Sequence, residues 1–226
     1  MPGENQFRDA KRAHQSFLAA AEKRCLVWLA ERLPAWVNPD HLTALGLLGM
    51  IGVGLAYWLA SRSKWGLVLA SLCLVVNWFG DSLDGTVARV RNRLRPRYGF
   101  YVDHMVDAFG TSFLVGGLAL SGLMSPWVAA AVLLAYFLLN IEVYLATYTL
   151  GTFQMSFAKF SPTELRLLLI AGNTALLYFK PTTGIFGGAP ILVFDIGGII
   201  GAALMVVLTV VTTIRHTLVL YREETR

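Results

Sequence analysis

Charge is what this sequence has least of. Only 15% of its 226 residues are Asp, Glu, Lys or Arg, against 56% that are hydrophobic, whereas a water-soluble domain is ordinarily about a quarter charged. Residues 43–61 carry no charge, and neither do residues 65–80. Uncharged runs of that length, with their flanks, are long enough to cross a hydrocarbon core, which excludes an ordinary soluble globule. Cysteine is nearly absent: Cys25 and Cys73 stand far apart, in no zinc or disulfide spacing, and read as ordinary apolar residues. No cleavable signal peptide is evident, because residues 1–12 are polar, mixed in charge and lack a short apolar core. Internal repeats and low-complexity segments are missing as well.

What is present is a series of apolar stretches separated by breakers and charges. It predicts an all-α integral membrane protein with six transmembrane helices, over roughly 41–62, 65–92, 98–123, 126–149, 161–179 and 191–214. Asn38, Pro39 and Asp40 open the first helix, with Asp40 as its expected N-cap. Arg62 and Lys64 divide the first from the second, Pro96 the second from the third, and Ser125-Pro126 the third from the fourth. Pro162 suits the first turn of the fifth. Residues 180–190, rich in Gly and Pro, read as a loop. Ahead of the spans, residues 7–36 mix Phe17, Leu18, Leu26, Val27 and Leu29 with Lys11, Arg12, Lys23 and Arg24. That pattern predicts an amphipathic interfacial helix on the membrane surface, or else a helix packed on a partner. The chain thus divides into a surface segment, 1–37, and a six-helix transmembrane domain, 38–226. Trp58, Trp65 and Trp127 are read as interface anchors.

The net charge of +5 is no nucleic-acid signal, because the basic residues sit at the ends of the apolar stretches. With six spans both termini share one side, and that side collects 16 of the 19 basic residues, leaving Arg62, Lys64 and Lys180 for the other. The basic side is expected to be cytoplasmic. It includes the connection over residues 89–97, which contains Arg89, Arg91, Arg93, Arg95 and Arg97.

Beside that connection lie four carboxylates in the segment DSLDGTVARVRNRLRPRYGFYVDHMVD. Carboxylates inside membrane helices are costly and usually functional. Asp81 and Asp84 are three apart and share one helix face; Asp103 and Asp107 are four apart and share another. On consecutive antiparallel helices the four can converge near the cytoplasmic end. Together they repel in a low dielectric, and cations relieve the repulsion. Oxygen-only ligands favour Mg²⁺, Mn²⁺ or Ca²⁺, and two such ions can clamp the attacking and leaving oxygens of a phosphoryl transfer. Gly85 and Gly99 remove side chains where a ligand can approach the backbone. Arg89 is placed to neutralise a phosphate. The plainer alternative is that the aspartates pair with the arginines of residues 89–97.

The segment resembles the signature of the CDP-alcohol phosphotransferase family, DxxDGxxAR followed by eight or nine residues and GxxxDxxxD. All its fixed positions are filled here: Asp81, Asp84, Gly85, Ala88, Arg89, Gly99, Asp103 and Asp107, with a nine-residue spacer. The resemblance extends to the N-terminal helix and the six spans. Near the first span, Pro39-Asp40 stands where the family pattern has Asn after the Pro. The resemblance implies an enzyme of phospholipid synthesis that moves a substituted phosphate from a CDP-alcohol to a hydroxyl and releases CMP. It implies Asp81, Asp84 and Asp103 as ligands of a divalent metal, Mg²⁺ or Mn²⁺, with two ions. Asp107 would be a fourth ligand or the base, and Gly85, Ala88, Arg89 and Gly99 would line the CDP pocket. It also implies a homodimer among membrane lipids.

Two features are similar to the choline and ethanolamine phosphotransferase branch, whose acceptor is a lipid hydroxyl. Asp103 is followed by His104, and Pro162-Thr163-Glu164 opens the fifth helix. His104 and Glu164 are candidate catalytic helpers. They are equally open to plainer roles, His104 bonding a carboxylate or headgroup and Glu164 serving the helix dipole or pairing with Arg166. The chain's short length favours the alternative, a CDP-diacylglycerol-dependent phosphatidyltransferase with a polar alcohol acceptor. Asn77 is placed to support the metal site; Asn140 and Glu142 suit either a polar acceptor or an interhelical hydrogen bond. Asp195 is expected near the outer surface in a structural role. From another class, a small cation transporter fits six spans and buried carboxylates, but the arginines beside the cluster suit an anionic ligand better.

Overall fold

The computed structural model describes residues 19–150, 162–179, 182–186 and 189–225. Seven helices account for nearly all of them: α1 (Ala19–Arg32), α2 (Pro39–Ala60), α3 (Trp65–Val90), α4 (Pro96–Ser121), α5 (Pro126–Leu150), α6 (Pro162–Tyr178) and α7 (Val193–Glu224). Four of them, α2, α3, α5 and α7, are long and apolar enough to cross a membrane by length and composition. The helix α4 carries the charges of the acidic segment along its first half, and α6 has 17 residues.

The local signals explain the helix ends, with corrections. The N-cap of α2 is Asn38, not Asp40: Asn38 is extended (φ −95°, ψ 158°), and Pro39 takes the first helical position, where its missing N–H costs nothing. Asp40 lies in the first turn and forms an ion pair with Arg95. At the end of α3, Asn92 takes a left-handed conformation (φ 52°) and Arg93 donates its N–H back to the Ala88 carbonyl at 2.8 Å. Gly122 (φ 73°) ends α4 in the same way. Residues 180–190 are not simply a loop. Within them β1 (Thr182–Phe186) pairs antiparallel with β2 (Ala189–Leu192), Phe186 opposite Ala189 and Thr182 opposite Leu192, with a register irregularity between Thr182 and Gly184. Pro190 is tolerated because a two-stranded hairpin has only edge strands. The helix α7 begins near the expected residue but continues to Glu224, ten residues beyond the expected end.

The centre of the bundle is α2, packed between α3 and α4. Glycines set these distances. A Cβ on Gly80 would come within 2.5 Å of the Gly46 nitrogen and the Leu42 carbonyl; one on Gly49 would lie 2.8 Å from the Asn77 nitrogen. Gly54 meets the Phe113 carbonyl and Gly117 the Gly54 carbonyl just as closely. Small residues let helix backbones touch, the usual device where apolar burial does not drive association. Tyr57 is fully buried in the main core beside Leu74, Leu118 and Val53. Its hydroxyl donates to Asn173 Oδ1 of α6 at 3.0 Å, and Asn173 Nδ2 donates to Ser71 Oγ of α3 at 3.1 Å. Asp195 is buried and structural: its carboxylate accepts from the Ser125 N–H at 2.7 Å, tying the α4–α5 turn to the start of α7. Trp58, Trp65 and Trp127 are all exposed.

The helix α1 is packed rather than free-standing. Leu26 and Ala30 join Leu42, Leu83 and Val87 in a second core, and Glu22 accepts from Trp78 Nε1 (2.9 Å) and Thr163 Oγ1 (2.7 Å). The expected amphipathic segment from residue 7 to residue 18 lies outside the described residues.

Candidate active site

Asp81, Asp84, Gly85, Ala88 and Arg89 occupy the last turns of α3; Gly99, Asp103, His104 and Asp107 occupy the first turns of α4. The link over residues 91–95 is short, so the two carboxylate pairs lie at the same end of the bundle. They are close enough to feel one another: Asp107 interacts electrostatically with Asp81, Asp103 and Asp84, and Asp84 with Asp81 and Asp103. Asp107 is exposed at the surface of the bundle.

Each carboxylate is held by a specific neighbour where the contacts are known. Thr43 Oγ1, in the first turns of α2, donates to Asp84 Oδ2 at 2.6 Å. The Gly85 N–H donates to Asp84 Oδ1 at 2.5 Å. Asp81 Oδ2 accepts from Arg166 of α6 at 2.5 Å, and the same guanidinium donates through Nε to Asn77 Oδ1 at 2.8 Å. Asn77 Nδ2 in turn donates to the Gly46 carbonyl at 3.0 Å. Asn77 therefore supports Asp81 through Arg166. Sequence reasoning counted Arg166 among the cytoplasmic charges and as a possible partner of Glu164, not as a partner of Asp81. Its place one turn into a helix opened by Pro162 was the available signal, but the partner is 85 residues away.

Three of the five arginines of the connection are engaged elsewhere. Arg91 donates to the carbonyls of Val37 (2.5 Å), Leu33 (2.9 Å) and Pro34 (3.1 Å), and Arg95 pairs with Asp40. Arg89 folds back on its own helix, Nε donating to the Gly85 carbonyl at 3.0 Å. The alternative in which these arginines neutralise the aspartates is therefore not the arrangement seen for Asp81, whose partner comes from α6.

The motif glycines differ from those of the core. A Cβ on Gly99 would meet nothing within 4 Å, and one on Gly85 only the Arg89 guanidinium at 3.9 Å. Packing does not require a glycine at either position. His104 is buried, its Nδ1 lying 2.6 Å from the Phe100 carbonyl, and its ring stacks on Phe100 (4.2 Å) and meets Tyr144 of α5 edge-on (5.2 Å). A carbonyl only accepts, so Nδ1 carries a proton, and in the neutral ring Nε2 is the acceptor. Glu164 lies in the first turn of α6, two residues before Arg166. Glu142 is separate from the site: its Oε1 is 2.6 Å from His216 Nδ1, an interhelical bond between α5 and α7.

Among the described residues no group of three or more His, Cys, Asp or Glu side chains is drawn together as a ready metal site. The donor set nonetheless has the chemistry of a hard-cation site: four carboxylates, no sulfur and no imidazole among them, from two helices that share one electrostatic field.

Four helices long and apolar enough to cross a membrane, with carboxylates at one end, are the frame of an integral membrane protein. The family model for CDP-alcohol phosphatidyltransferase matches residues 36–214, and the chain belongs to that family of transferases. It is 25% identical over 189 residues to Cholinephosphotransferase 1 of Danio rerio, covering 78% of this chain and 49% of that one. It is 32% identical over 84 residues to Phosphatidylinositol phosphate synthase of Streptomyces avermitilis, covering 37% of this chain and 32% of that one. Archaetidylinositol phosphate synthase of Pyrococcus horikoshii is 28% identical over 88 residues, or 39% of this chain and 44% of that one. The chain spans about half or less of the length of these relatives. Membership of a transferase family sets aside the transporter reading.

Proposed function

We propose that the protein transfers a phosphorylated alcohol, of the choline or ethanolamine type, from its CDP derivative to a lipid hydroxyl. The observation that carries this reading is the open shelf. Gly85 and Gly99 leave clear space beside Arg89 and the aspartates, although helix packing asks for no glycine at either place. The space suits a flat nucleotide with its phosphates toward the guanidinium. The lean toward a lipid acceptor rests on Asp103-His104, on Thr163-Glu164, and on the long match to a relative named Cholinephosphotransferase 1. A CDP-diacylglycerol donor with a polar acceptor is the second reading, favoured by the shorter matches to the two inositol phosphate synthases.

Asp81, Asp84 and Asp103 would hold the divalent metal, Mg²⁺ or Mn²⁺, and Asp107, which could add a fourth ligand, is assigned chiefly as the base. Bound there, the metal disperses the charge of the pyrophosphate and so makes CMP a better leaving group. Gly85, Ala88 and Gly99 admit the donor, and Arg89 orients its phosphate. Asp107 takes the proton of the acceptor hydroxyl as its oxygen attacks the alcohol-bearing phosphorus. The new P–O bond forms as the bond to the CMP oxygen breaks, and CMP leaves with that electron pair. His104, through Nε2, and Glu164 are the further candidates for guiding the proton. We also infer that α4 and α6 cross the membrane with the four apolar helices, making six spans with the site at the cytoplasmic end, and that the working form is a homodimer.

The test is CMP release by the purified protein in lipid nanodiscs. CDP-choline, CDP-ethanolamine and CDP-diacylglycerol are offered separately, each with dioleoylglycerol or with polar alcohols, and with or without Mn²⁺ or Mg²⁺. Metal-dependent release with CDP-choline or CDP-ethanolamine plus dioleoylglycerol is expected. Release only with CDP-diacylglycerol and a polar alcohol transfers the assignment to the second reading.

A further inference from the structure

The helix α1 reaches the acidic site through one side chain that neither the motif nor the proposed chemistry uses. Glu22, Leu26 and Ala30 stand four residues apart in turn and share one face of α1. Leu26 and Ala30 are buried in the second core with Leu83 and Val87, so Glu22 is carried on a helix already fixed to α3. Its Oε1 accepts from two helices at once, from Trp78 Nε1 of α3 at 2.9 Å and from Thr163 Oγ1 of α6 at 2.7 Å. Both donors stand close to an ion pair of the site. Trp78 adjoins Asn77 and precedes Asp81 by three residues, and Thr163 precedes Arg166 by three. Two polar ties therefore join α3 to α6 within one helical turn: Glu22 between Trp78 and Thr163, and Arg166 across Asn77 and Asp81. The far half of α6 is held separately. Asn173 bonds with Tyr57 and Ser71, and Lys64 Nζ donates to the Leu177 carbonyl at 2.8 Å. At the site end Glu22 holds the first turn, where a carboxylate also suits the positive pole of the helix.

We propose that Glu22 is a positioning residue. By tying the first turn of α6 to α3 it fixes the reach of Arg166 to Asp81, and so sets how readily Asp81 turns from the guanidinium to a divalent cation. The inference rests on the metal-dependent reading above and adds to it a control on one of the metal's ligands. Arg166 donates through two different nitrogens, Nε to Asn77 and Nη2 to Asp81. A planar fork keeps two such bonds only while its backbone stays in register with both acceptors. Helix ends fray, and Arg166 lies in the second turn of α6, one turn beyond the Glu22 tie. Loss of that tie loosens the Arg166 fork. The Asp81–Arg166 pair is partly exposed, so little else keeps it together. Guanidinium and cation compete for the same carboxylate charge, and a loosened Arg166 leaves Asp81 to the cation.

The experiment uses the full chain in phosphatidylcholine nanodiscs. Mn²⁺ binding is followed by the paramagnetic signal of the free ion, and stability by the thermal midpoint. Glu22→Ala is expected to lower the Mn²⁺ concentration for half-saturation about threefold, the size of effect expected from weakening a partly exposed ion pair. Arg166→Ala should lower it at least as far, and adding Glu22→Ala to Arg166→Ala should move it no further. Glu22→Gln keeps an oxygen that accepts from both donors and should restore the wild-type value. Trp78→Phe and Thr163→Val each remove one donor with little change of shape. They should give intermediate shifts, which keeps the proposal testable if Glu22→Ala fails to fold. A merely structural Glu22 would lower the thermal midpoint and leave Mn²⁺ half-saturation unchanged in every one of these variants except Arg166→Ala. That result overturns the positioning role while leaving the metal-dependent reading intact. If the wild-type protein binds no Mn²⁺, the metal-dependent reading and the control by Glu22 fall together.

Discussion

Two sets of glycines lie within a few turns of each other in this molecule and serve opposite ends. Gly46, Gly49 and Gly80, where α2 crosses α3, and Gly54 and Gly117, where α2 crosses α4, have backbone atoms pressed against the position of the missing side chain. Gly85 and Gly99 have open space there. The first set lets helices touch; the second is not required by packing, and in the function proposed here it admits the donor. In sequence the motif spacing marks Gly85 and Gly99, whereas nothing local says that Gly46, Gly49, Gly54, Gly80 and Gly117 are packed against other helices. The difference teaches that close helix packing ends where the acidic cluster begins, since the α2–α3 contact at Gly80 immediately precedes Asp81.

The largest effect expected from testing this division lies in the acidic cluster itself. Asp107→Asn keeps the size of the side chain and cannot take a proton, so turnover should fall about 10²- to 10⁴-fold. Metal-dependent CDP-alcohol binding should be largely kept, whereas Asp81→Asn should lose both. If the two variants bind donor equally poorly, Asp107 is chiefly a ligand, and His104 or Glu164 becomes the base. Binding by equilibrium dialysis beside CMP release makes the distinction.

On the packed side, Gly80→Val places new atoms where the Leu42 carbonyl and the Gly46 nitrogen already are. A backbone cannot yield as a flexible side chain can. A loss of about 1–3 kcal/mol or more is expected, read as a lower thermal midpoint in detergent. An unchanged midpoint would mean that the α2–α3 crossing is looser than the contact implies.

Arg166 joins the two regions, since it reaches from α6 across Asn77 to Asp81. Arg166→Ala leaves Asp81 without its protein countercharge. Because the pair keeps some exposure, the loss should be about 1–3 kcal/mol, less than for a fully buried pair. Added Mn²⁺ should restore more of the thermal midpoint in this variant than it adds to the wild type, because the cation takes over the guanidinium's role. Equal Mn²⁺ shifts in the two proteins would argue that Arg166 and the metal do not share Asp81.

The smallest stability effect belongs to the open glycine. Gly99→Ala meets nothing in the protein and improves helix propensity, so it should be neutral or stabilise by up to about 1 kcal/mol. It should nonetheless weaken CDP-alcohol binding. A destabilised variant, or one with wild-type donor affinity, breaks the contrast between the two glycine sets.

Much of the helix layout was legible because apolar runs, prolines and charges act locally. The starts of α3, α5 and α6 lie within a residue of the expected positions. The misses have local causes too. Pro39 outcompetes Asp40 in defining the cap, because its ring fixes the first helical dihedral and moves the cap back to Asn38. The hairpin at β1 and β2 was hidden by its Gly and Pro content, which two edge strands tolerate. The glycines of α2 were visible as letters, but their partners on α3 and α4 were not.

The order of residues alone determined that the chain has membrane-spanning helices and that four aspartates, two glycines and an arginine stand at the motif spacing. Helical periodicity and the cost of charge in hydrocarbon act along the chain and leave a signature in it. Only the tertiary structure decided that Arg166 neutralises Asp81 and that Thr43 holds Asp84. Those contacts join positions tens of residues apart. They depend on which helices lie side by side, and that is set by backbones meeting at Gly46, Gly80, Gly54 and Gly117, a steric fit that no stretch of sequence records by itself.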